Sequence, residues 1–169
     1  MTLTHTITDK VQAKARMGAH QDPHVVGDRR SIEFPDGLLG FEREKHFIIA
    51  AREEFAPFQW LVSVENPGLG FVIVDPSYFF PQYQPRTDER ELKNIVGDTG
   101  NTLLVYAIVT VAQDARATTA NLLAPIYLCV ETWKAKQVVL NEPRYTTRHR
   151  LMSPPQAIHS EGDHEKQRE

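Results

Sequence analysis

The stretch FQWLVSVENPGLGFVIVDP, Phe58 to Pro76, reads as a β-hairpin with both arms buried. Phe58, Trp60, Val62 and Val64 alternate at the period of two that a pleated strand imposes, and Phe71 and Ile73 are expected to continue that face after the turn. Leu61, Val72 and Val74 make the opposite face apolar as well. A sheet wetted on one side would carry polar groups at those positions, so the hairpin is expected to lie centrally in a closed or sandwiched all-β body. Asn66, Pro67, Gly68 and Gly70 supply the reversal, glycine by tolerating positive φ and proline by fixing φ near a turn value.

Working towards the N-terminus, Phe47, Ile48 and Ile49 suggest a neighbouring strand, and Ile32 and Phe34 alternate with Glu33 in another that stops at Pro35, Asp36 and Gly37. Between them, Leu38, Leu39, Gly40 and Phe41 form either a loop tucked into the core or an open apolar lip. The cost of wetting such groups favours the tucked form. Working the other way, SYFFPQYQP sets Tyr78, Phe79, Phe80 and Tyr83 among prolines, which exclude an interior strand or helix. These aromatics either cap the barrel end or stand out as anchors for another chain. Asp88 to Val96 carries the helix signal: Asp88 as N-cap, Glu91 as its capping-box partner, apolar Leu92, Ile95 and Val96, and Gly97 as the stop. Leu103 to Val111 reads as a buried strand and Gln113 to Ala120 as a polar loop. Asn121 to Val130 resumes the sheet with an edge or bulge at Pro125, and Gln137 to Leu140 is the last strand. The fold class expected is all-β, a small barrel-like antiparallel protein with one short helix. Residues 1–29 are expected to be a flexible arm, 30–151 the barrel domain and 152–169 a flexible tail.

The 169 residues carry a net charge of −3, which argues against a general phosphate-binding surface. No run approaches the roughly 18 apolar residues of a membrane helix. Met1 to Arg30 lacks the apolar centre of an export signal, so the chain is expected in the cytoplasm. The single cysteine, Cys129, lies in an apolar strand and reads as a small buried hydrophobe. There is no Walker loop, dinucleotide glycine pattern, nucleophile elbow or zinc spacing. Adjacent carboxylates such as Glu53 and Glu54 read as solvated charge, and Asp88 and Glu89 as a helix start. No cofactor, no metal and no catalytic residue is therefore expected. An enzyme on this fold would have to use His46 or His149, the histidines that adjoin predicted strands. The cluster Arg144, Tyr145, Arg148, His149 and Arg150 is the candidate for nucleic acid. At strand spacing Arg148 and Arg150 would share a face, and an interleaved aromatic can stack a base. On an acidic chain a surface strand paired with carboxylates is the simpler reading, so RNA binding is the alternative and no direct nucleic acid partner is expected.

The ordered segments SIEFPDGLLGFE, WLVSVENPGLGFVIVDP with SYFFPQY, TTANLLAPIYL and KQVVLNEPRYTTRH together resemble the bacterial flagellar assembly factor FliW family, from about Ser31 to Arg150. The resemblance implies a small barrel-like β protein without catalytic activity. It further implies two alternative partners, cytoplasmic flagellin and the RNA-binding translational regulator CsrA, the second engaged once flagellin is exported. An acidic surface suits a basic partner of that kind. Among the family motifs that fall in loops, partner contact is expected from Leu38, Leu39, Phe79, Phe80, Tyr83, Asn121, Leu122 and Leu123, each an apolar or amide group that irregular backbone would bring to the surface. The segment before Ser31 is longer than the family pattern leads one to expect, and oligomeric state is left open.

Overall fold

The computed structural model of the chain describes residues 30–98 and 100–151. The expected arm and tail lie outside the described residues. Nine strands form one sheet: β1 (Ile32–Glu33), β2 (His46–Ala51), β3 (Gln59–Ser63), β4 (Gly70–Val74), β5 (Leu103–Thr110), β6 (Thr119–Ala120), β7 (Ile126–Cys129), β8 (Lys134–Gln137) and β9 (His149–Arg150). Strands β4, β3, β2, β1, β8, β7 and β5 follow one another, and β4 pairs back onto β5, so these seven close a ring. The β6–β9 ribbon continues from β5 outside it. All pairings are antiparallel except β1 with β8.

Closure explains why both faces of the β3–β4 hairpin are apolar. Leu61 and Ile73 point into the barrel with Ile32, Phe34, Leu38, Phe47, Ile126, Leu128 and Ala135, every strand of the ring except β5 giving a fully buried residue and β5 adding Tyr106 and Ile108. Trp60, Val62, Val72 and Val74 face outward against a second cluster with Ala107, Val109, Leu122, Leu140 and Tyr145. A third cluster lies under the helix α1 (Glu89–Leu92), where Leu92 and Ile95 cover Tyr127 and Val138. The register divides the two faces differently from the sequence reading. Trp60 opposes Val72 and Leu61 opposes Phe71, and directly opposed residues share a face, so Phe71 and Ile73 belong with Leu61 and not with Trp60.

Three further expectations change. Gly68 and Gly70 do not take positive φ; Gly37, Gly40 and Gly100 do among the described residues. The β3–β4 reversal is held instead by Leu69 N–H donating to Asn66 O at 2.8 Å and Asn66 N–H to Ser63 Oγ at 2.9 Å. The helix is one turn, shorter than Asp88–Val96, and no capping box forms. Asp88 Oδ1 accepts from Arg90 N at 2.9 Å, while Glu91 turns away to Lys136 Nζ at 3.2 Å. The last apolar strand begins earlier than Gln137: β8 is Lys134–Gln137, and Val138 to Leu140 leave the sheet towards the 121–125 segment. Cys129 is buried and unpaired, as a core residue should be.

Candidate functional site

Three irregular segments that the sequence keeps far apart are joined on the outside of the barrel. Gln137, at the end of β8, is buried and its amide satisfies two backbones at once. Oε1 accepts from Leu39 N at 3.2 Å, and Nε2 donates to Ala124 O at 3.0 Å. From the same 121–124 segment, Leu122 O accepts from Tyr83 Oη at 2.8 Å, which ties in the aromatic strap after β4. Asn121 Oδ1 accepts from Ala124 N at 2.9 Å and Leu123 O from Leu140 N at 2.8 Å, so the segment keeps its shape without belonging to a strand. Pro125 lies fully buried directly before β7, where its carbonyl accepts from Val138 N at 3.0 Å and its missing N–H is not called on.

The eight residues expected at the surface divide by depth. Leu39 is 52% exposed, whereas Leu38 beside it is 1% exposed and Leu122 is 2% exposed. Gly37 explains the first contrast: its φ of +74° reverses the chain so tightly that a Cβ there would lie 2.6 Å from Glu42 Cα, and the reversal sends Leu38 inward. The Leu38–Phe41 loop is thus tucked and open at once, since Phe41 is half exposed against Phe71 at 5.1 Å. Phe79, Phe80 and Tyr83 are half-buried against the outer cluster, as is Leu123, and Asn121 is equally half-buried. Tyr78 alone of the strap's aromatics stands free. Phe79, Phe80 and Tyr83 thus cover the outer face of the barrel while part of each ring stays in solvent. Sequence reasoning missed Gln137 and Val139. Gln137 was legible as a lone amide in the apolar run KQVVL, and Val139, 58% exposed, stands two residues beyond it.

A line of rings backs the strap. Tyr83 meets Tyr145 at 4.8 Å, Tyr145 meets His149 at 6.2 Å, and His149 meets Phe80 at 6.0 Å, all edge to face. Burial, with the neighbouring Tyr127 and Tyr145 and the charge of Glu142, pushes the Tyr83 phenol well above its ordinary value. Burial and Glu142 push Tyr127 up to about 12. Burial would raise Glu142 too, but the Arg86 N–H at 3.2 Å and Arg144 at 2.7 Å outweigh it and hold the carboxyl below its usual range. This arrangement alters the basic cluster. Arg144 pairs with Glu142 and lies over the Tyr145 ring at 4.7 Å, and Tyr145 is buried with its Oη accepting from Gln84 N, so no ring is left for a base. Arg148 falls outside β9 and does not share a strand face with Arg150. His149 Nε2 accepts from Thr146 N at 2.8 Å, and His46 Nδ1 lies 2.7 Å from Glu65. Among the described residues no group of three or more His, Cys, Asp and Glu is placed to hold a metal ion, and no helix is long and apolar enough to cross a membrane.

The closed ring of seven strands and its apolar outer cover define a small β-barrel, with Leu39 and Val139 standing in solvent at the junction. The profile of the FliW protein family matches residues 18–151, and the chain belongs to that family of flagellar assembly factors. The flagellar assembly factor FliW of Syntrophomonas wolfei is 40% identical over 131 residues, 78% of this chain and 84% of that protein. That of Geobacter sulfurreducens is 40% identical over 125 residues, 74% and 78% of the two chains. A crystal structure of the flagellar assembly factor FliW superimposes with a TM-score of 0.68 at 38% identity, covering 76% of this chain and 89% of that one. The family match starts at residue 18, so part of the segment before Ser31 that is longer than the family pattern leads one to expect falls within it.

Proposed function

We propose that the chain works in flagellar assembly as a non-enzymatic binder of cytoplasmic flagellin that, once flagellin is exported, engages the translational regulator CsrA instead and relieves repression of the flagellin message. The observation that carries the reading is the junction at Gln137: one buried amide and one tyrosine hydroxyl hold three irregular segments together while leaving Leu39 and Val139 in solvent. Exposed aliphatic groups on a braced, irregular surface suit a protein partner, because their burial on binding releases water without a folding cost. Leu39, Phe79, Phe80, Tyr83, Asn121 and Leu123 are the contacts, with Leu38 and Leu122 acting from below by filling the core under them. Net charge of −3 favours encounter with a basic RNA-binding regulator.

Calorimetric titration of the chain with flagellin, with CsrA, and with each in the presence of the other tests the switch. Saturable binding to both, each weakened by the other, is the expected result. Folded protein that gives no binding to flagellin overturns the proposal.

A further inference from the structure

The junction at Gln137 has an edge as well as a face. The pairing of β7 with β8 continues past Gln137: Val138 N donates to Pro125 O at 3.0 Å and Leu140 N to Leu123 O at 2.8 Å. Alternation along an extended chain turns the N–H and C=O of Val139 to the opposite side. On that side β1 pairs with β8 only at Lys134 and then leaves it. Among the described residues no hydrogen bond uses the N–H or C=O of Val139, nor those of Asn141 two residues on, and both residues are exposed. The two ends of the described chain lie elsewhere. β1 runs parallel to β8, so the chain enters it from the Trp133 end. Leu151 N donates to Thr118 O, at the far end of the run whose Leu123 and Pro125 face Leu140 and Val138.

We propose that the partner engaged at this junction is held through an extended, uncharged stretch of its own chain, laid antiparallel along Val139 and exchanging both backbone hydrogen bonds with it. This deepens the function proposed above and rests on it. The N–H and C=O of one edge residue are matched together by the C=O and N–H of one residue of another extended backbone, which the antiparallel arrangement provides. A helix has already spent its peptide groups on itself. Side chains beside the edge select an uncharged segment. Lys136 Nζ lies 3.4 Å from Asp36 and 3.2 Å from Glu91, and Glu142 pairs with Arg144 at 2.7 Å, so the flanking charges are already matched. Val139 is left to be covered, beside Leu39, whose N–H binds Gln137 Oε1 at 3.2 Å. The partner residue opposite Val139 shares its face, and an apolar, branched side chain fits there. Exposed sheet edges are ordinarily blunted by a charge or a proline, and the run Val138 to Leu140 carries neither before Glu142 and Pro143.

Hydrogen exchange of the full chain, followed amide by amide by NMR, alone and saturated with flagellin, tests the edge. The Val139 amide is expected to exchange freely in the chain alone and about tenfold or more slowly in the complex, while Leu140, bonded within the fold, is slow in both. Two variants read the same bond by affinity. Val139→Pro removes an N–H that the fold does not use and is expected to weaken flagellin binding about tenfold. Val139→Ile keeps the N–H and the branched shape and is expected to bind within about twofold of the unaltered chain. A Val139 amide already slow in the chain alone, or still fast in the complex, overturns the proposal. Equal affinity of the folded proline variant overturns it too, as does an isoleucine variant weakened as much as the proline one. Any of these results in a chain that binds flagellin removes the edge and leaves the proposed function standing. No binding of flagellin to the folded, unaltered chain removes the proposed function, and the edge with it.

Discussion

The inside of the barrel and the cover over its outer face bury similar side chains by different means. Inside, Ile32, Phe47, Leu61 and Ile73 are delivered by strands, and closure of the ring leaves them no other direction. Outside, Phe79, Phe80, Tyr83, Leu122 and Tyr145 are delivered by segments without regular structure, whose shape depends on a few side-chain hydrogen bonds: Tyr83 to Leu122, Gln84 to Tyr145, and Gln137 to Leu39 and Ala124. The interior is thus fixed by many small contacts that substitute for one another. The cover is fixed by a handful of directional ones that do not.

Phe47→Ala should break the interior most, at about 3–5 kcal/mol, because the residue is fully buried against Phe34 at 4.9 Å and the ring cannot collapse around the void. Denaturant melts read it. Gly37→Ala should come next, at roughly 1–3 kcal/mol or more, since both the φ and the backbone of Glu42 exclude a side chain. Its signature is increased exposure of Leu38 by hydrogen exchange in that loop. The two tyrosines sharpen the contrast. Tyr83→Phe should cost about 1 kcal/mol by orphaning Leu122 O from the cover, whereas Tyr127→Phe should cost nothing or stabilise slightly, because the Tyr127 Oη is buried without a partner.

Alkali should attack the same place. Folded-state values for Tyr83 and Tyr127 are raised above the unfolded value of about 10, so the stability they contribute is fully present below that pH and is lost as pH rises towards the folded values. Stability measured from pH 8 to 11.5 should fall at the upper end. The fall should be shallower in Tyr83→Phe.

Those differences also say why some of the molecule was legible and some was not. The hairpin and the strand from Leu103 announced themselves by composition, though of that strand only Ala107 and Val109 are buried and Leu104 is exposed, and the closed all-β body followed from apolar groups on both faces. Face assignment across the turn failed because Asn66 to Leu69 set the register, and alternation within one strand carries no information about its partner. Helix length failed because three apolar residues at helical spacing satisfy a single turn plus its exit as well as two turns. At the junction, the tight reversal at Gly37 leaves Leu38 buried and Leu39 exposed, and Gln137 unites Leu39 with Ala124 across ninety-eight residues and thirteen residues of chain. Periodicity has no term for either.

The most direct measurement is the flagellin affinity of Leu39→Asp combined with Val139→Asp, both side chains being more than half exposed and so replaceable without loss of the fold. An intact melting temperature with affinity reduced about tenfold or more is the outcome expected if the junction is the binding surface. Unchanged affinity in the folded variant would contradict it.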